Sequence, residues 1–97
     1  MVRFFNKGVY SSPIYGKYEG QWENGKKSGK GKFNGIDGSK YDGEFYDDKR
    51  CGFGVLSYAN GDVYTGNFEN DMPNGQGKLV GMGGVTKQGK WKNGILQ

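Results

Sequence analysis

The residues able to make or break bonds are few, and none has the company it would need. Cys51 is the one cysteine, and Lys49 and Arg50 beside it would favour its thiolate. The chain contains no histidine, so no imidazole base activates that thiol, which reads as a turn residue before Gly52, and no imidazole holds a metal. A single cysteine also falls short of a zinc site built on thiolates. Asp47 and Asp48 could pass for paired catalytic carboxylates, but they stand where a tight turn is expected and read as solvated. Three Gly-x-Gly pairs, Gly29/Gly31, Gly52/Gly54 and Gly75/Gly77, invite comparison with phosphate-cradling loops. Such loops need a helix N-terminus behind them, and the residues following each pair alternate as a strand does. The turn Gly81-Met82-Gly83-Gly84 fails for the same reason. No catalytic group, metal, cofactor or small-molecule substrate is predicted.

Chemistry of contact is better represented. Lys26, Lys27, Lys30 and Lys32 form a basic cluster suited to an anionic surface. Acidic lipid headgroups attract such residues by about 1 kcal/mol each. Charge along the chain is uneven: residues 1–17 carry +3, 18–40 carry +2, 41–63 carry −3, 64–86 carry −1 and 87–97 carry +3. A nucleic-acid binder usually shows a continuous basic stripe, which this pattern interrupts. The other contact residues are aromatic. Tyr18, Trp22, Tyr41, Phe45, Tyr58, Tyr64, Phe68 and Trp91 are the candidates for a protein-interaction groove.

A repeat of 23 residues positions these side chains. Tyr18, Tyr41 and Tyr64 occupy one slot, with Lys87 on the next step. Two residues later stand Gly20, Gly43, Gly66 and Gly89; four residues later stand Trp22, Phe45, Phe68 and Trp91. Sixteen of the 20 glycines fall in repeated slots. Aromatic, Gly, aromatic at alternate positions predicts a half-buried strand, and Asn-Gly or Asp-Asp predicts the turn after it. Each Gly-x-Gly then opens a second strand, as in Gly54-Val55-Leu56-Ser57-Tyr58. The Ala59-Asn60-Gly61-Asp62 turn leads to the next copy. Each copy is thus a β-hairpin, and the all-β expectation is an elongated single-layer antiparallel sheet of stacked β-hairpins. Seven or eight strands at about 4.8 Å spacing would give a strip roughly 30–35 Å long. Stacked aromatic ladders, with glycines leaving room for the rings to lie flat, would replace the core a single sheet lacks. The whole chain, 1–97, reads as one domain: partial repeat 1–17, repeats 18–40, 41–63 and 64–86, and partial repeat 87–97.

The unit resembles the MORN (membrane occupation and recognition nexus) family, whose repeat runs close to Y-x-G-x-W-x-x-G-x-x-x-G-x-G. YEGQWENGKKSGKG fits position for position; YDGEFYDDKRCGFG and YTGNFENDMPNGQG fit with Phe for Trp and Asp for the first Gly. Lys87 departs from the pattern where Tyr is expected, and Asn6 departs at the Gly-x-Gly of the N-terminal half-copy. The resemblance implies a repeat solenoid without catalysis. It implies partners in larger cytoskeletal, ciliary or membrane-junction assemblies, and association with acidic phospholipid membranes as the alternative. MORN arrays also precede kinase or methyltransferase domains in some families, and no such domain is encoded here. With one cysteine, no secretory signal and no apolar run of about 20 residues, an intracellular setting is expected, in cytoplasm, cytoskeleton or cilium.

Overall fold

The computed structural model describes residues 5–97, with side chains described from residue 8 onward. Residues 1–4, including the Arg3 counted in the basic N-terminal segment, lie outside the described residues. Nine strands follow one another: β1 Phe5–Ser12, β2 Gly16–Glu23, β3 Lys26–Gly35, β4 Lys40–Tyr46, β5 Lys49–Ser57, β6 Val63–Glu69, β7 Met72–Val80, β8 Thr86–Lys92 and β9 Ile95–Leu96. They form one antiparallel sheet in the order of the sequence. The sheet measures 43 × 31 × 15 Å. It has one strand more than expected because Ile95 and Leu96 fold back on Lys92 and Trp91.

Turn chemistry sets the two long edges. On one edge lie tight hairpins at Asn24-Gly25, Asp47-Asp48, Asn70-Asp71 and Asn93-Gly94, each pair with both φ angles positive, between 49° and 83°. Asn, Asp and Gly are the residues that tolerate this conformation, and its twist matches that of the strands. On the other edge lie wider loops, closed by backbone bonds from Gly35 to Ser39, Tyr58 to Asp62 and Gly81 to Val85.

Down the middle runs a line of directly paired glycines, from Gly8 through Gly20, Gly31, Gly43, Gly54, Gly66 and Gly77 to Gly89. The tyrosine rings require it. Tyr18 lies flat on Gly31, so close that a methyl there would fall inside the ring, and Tyr41 and Tyr64 lie likewise on Gly54 and Gly77. Each hydroxyl crosses the line to donate to a backbone carbonyl three residues on: Tyr18 to Gln21 (2.8 Å), Tyr41 to Glu44 (2.9 Å) and Tyr64 to Asn67 (2.9 Å).

The rings form the core. Trp22, Tyr18, Phe45, Tyr41, Phe68, Tyr64 and Trp91 make a continuous chain of contacts, with centroids 4.9–5.4 Å apart. Their planes meet at 82–88°, edge against face rather than stacked. That arrangement sets the positive ring edge on the negative face of its neighbour and contributes about 0.5–1.5 kcal/mol per pair beyond burial. The contacts alternate within and between copies, so no copy completes its core alone.

Candidate functional site

The ladder consumes most of the aromatics expected to line a groove. Tyr18, Tyr41, Phe45, Tyr64, Phe68 and Trp91 are at most 7% exposed, so a partner cannot reach their faces without opening the sheet. Trp22 is half-buried at the β2 end of the ladder, its indole N–H 3.5 Å from the Gly8 carbonyl. Tyr58 alone of the eight is open, at 37%. Burial raises the tyrosine hydroxyls accordingly. For Tyr18, loss of water and the nearby Asp48 charge push the pKa up to about 12 against the Gln21 carbonyl bond. Tyr41 goes higher still, again first through burial.

Over the ladder lies a row the sequence reading missed. Lys27, Arg50, Pro73 and Leu96 share one slot of the 23-residue period. The Lys27 ammonium sits 5.7 Å from the Tyr18 ring centre and the Arg50 guanidinium 5.6 Å from that of Phe68. Pro73 is buried in the same place one copy on. The spacing was visible, but a Lys/Arg/Pro/Leu alternation has no common polarity to mark it as structural.

This row and the wider loops wall a trough on the aromatic face. One stretch of it, about 570 Å³, has Arg50, Met72 and Pro73 on the hairpin side, Ala59 and Asn60 on the loop side, and Leu56 and Tyr58 between them. The row is tied to the next copy on the hairpin side. Asp48 Oδ1 accepts the Lys27 N–H (2.7 Å), and Asp71 Oδ1 accepts the Arg50 N–H (3.1 Å). Arg50 also donates through its guanidinium to the Asp71 carbonyl at 2.6 Å, with Nε 2.9 Å from the Asp71 carboxylate. Trough and fold therefore share side chains.

The four candidate lysines do not make one surface. Lys27 points to the aromatic face, whereas pairing places Lys26 beside Glu23, Lys30 beside Glu44, and Lys32 between Glu19 and Asp42 on the reverse face. Lys26 is also bonded to Asp47 at 2.7 Å. That bond, followed by the attraction between the two opposite charges, holds the Asp47 carboxyl below its ordinary value and raises the Lys26 ammonium. Cys51 departs from its expected setting. It lies within β5 opposite Glu44, not in a turn, and burial followed by the Glu44 charge pushes its thiol up rather than down. Among the described residues, no group of three or more Cys, Asp or Glu could hold a metal. No helix of the described residues is long and apolar enough to cross a membrane.

The MORN repeat pattern matches residues 18–40, 41–63 and 64–85, well over half of the chain. The protein belongs to the MORN repeat family. No curated protein matches it. MORN repeats are non-enzymatic modules found in protein and membrane interaction. In this MORN strip the signature Tyr, Gly and Trp/Phe slots are those that build the ladder, and the slots between them differ from copy to copy.

Proposed function

We propose that this MORN strip is a non-catalytic interaction module, a scaffold subunit that seats an extended peptide or a helix along its aromatic face. The trough at Leu56, Tyr58, Met72 and Pro73 carries the reading, because it is concave, partly apolar and bordered by hydrogen-bonding groups. Tyr58 and Met72 are the accessible anchors, at 37% and 48% exposure. The buried rings Tyr18, Tyr41, Phe45, Tyr64, Phe68 and Trp91 act beneath them as a rigid floor, which lowers the ordering cost of binding. A cytoskeletal or ciliary assembly is the setting suggested by the family resemblance.

The test is capture from native cell extract at low and high salt, with a photo-crosslinker at position 58 or 72. One defined protein crosslinked from both positions, retained at high salt and lost with Tyr58→Ala/Met72→Ala, is the expected result. Retention of no protein, with salt-sensitive capture of acidic liposomes, would refute it. The function would then move to phospholipid binding through Lys26, Lys27, Lys30 and Lys32.

A further inference from the structure

On the face opposite the trough, lysines in the first copies are matched by acids. Lys26 pairs with Glu23, Lys30 with Glu44, and Lys32 stands between Glu19 and Asp42. The compensation stops at β6. Lys78 stands between Thr65 and Gln88, and Lys90 faces Gln76. Thr65 occupies the repeat slot of Glu19 and Asp42, and Asn67 that of Glu44. Residues 72–97 contain four lysines and no acid. Lys78, Lys90 and Lys92 are all exposed, and Trp91, buried between the last two, turns to the aromatic side. Lys78 lies on a strand paired on both sides, so protection of a sheet edge does not account for it.

We infer that the face carrying Lys78, Lys90 and Lys92 docks an extended acidic polypeptide segment, at a second site independent of the trough. Charge complementarity selects the partner's sign. Lys90 and Lys92 are alternate residues of one strand, about 6.8 Å apart, the spacing of alternate carboxylates on an extended peptide lying along it. Thr65, Asn67, Gln76 and Gln88 around them offer hydrogen bonds to a peptide backbone. One exposed ring, Phe53 beside Asn67, and one exposed aliphatic, Ile95 beside Lys92, border them, too little for a stacking platform on nucleobases or for entry into a bilayer.

The experiment uses the whole chain and a fluorescent Glu-Ser repeat peptide, with a Gln-Ser repeat peptide as the neutral control, read by anisotropy. The acidic peptide should bind and the neutral one should not. Lys78→Gln/Lys90→Gln/Lys92→Gln should weaken binding about tenfold or more. Lys26→Gln/Lys30→Gln/Lys32→Gln, which removes the same net charge, should change it by less than about threefold. Lys78→Gln alone should give a smaller loss of the same kind, and circular dichroism of every variant should match the parent. Equal losses in the two triple variants would reduce the effect to net charge and overturn the proposal. Absence of peptide binding, or tighter binding to phosphatidylserine vesicles or RNA than to the peptide, would also overturn it. Tyr58→Ala should leave peptide binding intact, so failure here and failure of the trough reading are separable.

Discussion

Replacing Gly54 with alanine adds one methyl where a ring already lies. The new carbon would fall on the edge of Tyr41, with the ring Cζ only 2.6 Å away. Ordinary carbon contact needs about 3.5 Å, so the ring would have to retreat by about 1 Å. It has nowhere to go. Phe45 and Phe68 flank it at 5.0 and 5.1 Å between ring centres, Arg50 lies over it at 5.8 Å, and its hydroxyl is held by the Glu44 carbonyl. Overpacking costs about 1–3 kcal/mol, and loss of that hydrogen bond about 1 more. Reduced freedom of the unfolded chain offsets about 0.4–1 kcal/mol. The net expectation is a destabilisation of about 2–3 kcal/mol, measured by urea unfolding followed by tryptophan fluorescence and circular dichroism. A double-mutant cycle isolates the cause. Tyr41→Ala alone should cost about 3–5 kcal/mol, and with the ring gone Gly54→Ala should add almost nothing. An unchanged or raised unfolding midpoint in Gly54→Ala would rule out the ring clash, as would an equal cost with and without the Tyr41 ring.

Three further outcomes follow from the same geometry. Tyr41→Phe should lose about 1 kcal/mol through the bond to Glu44, while Tyr58→Phe, whose hydroxyl makes no comparable bond, should stay within about 0.5 kcal/mol in the same unfolding assay. Tyr18 ionises near pH 12 in the fold against an ordinary value of 10.0, so its contribution to stability is intact below pH 10 and is lost as pH rises through about 12. Tyr41 and Tyr64 shift in the same direction, so phenolate absorbance should show these three ionising together with unfolding at alkaline pH. Asp48→Ala removes the acceptor for the Lys27 N–H and should cost about 1–2 kcal/mol, with faster hydrogen exchange at that amide and less coupling between the first two copies.

The repeat made the sheet legible because every element has a local cause. Alternation set the strands, Asn-Gly and Asp-Asp set the hairpins, and Tyr over Gly fixed the register. In the sheet Gly8 pairs with Gly20 as Gly31 pairs with Gly43. The availability of the rings was not legible. Periodicity tells which face a residue takes but not whether the next copy covers it, and Phe45 is covered from the previous copy by Tyr18. Cys51 was misread for a similar reason. The nearby Lys49 and Arg50 suggest a turn thiol that ionises more readily, but in β5 its environment is set by burial and by Glu44 across the sheet.

The distinction between covered and uncovered slots bears on where specificity can reside. A ring in the ladder touches the copies on both sides, so changing it alters the fold before it alters a binding surface. Slots beside the ladder touch fewer rings and are less constrained, and they change character along the strip. The slot of Lys27 holds Arg50 in the next copy, then Pro73, then Leu96. One wall of the trough thus passes from cationic to apolar while the floor stays aromatic. A partner lying along it meets a direction as well as a surface, and a segment bound in reverse would set its apolar end against Lys27 and Arg50. Exchanging the Arg50 and Pro73 side chains would test that polarity only at the expense of the ladder they cover.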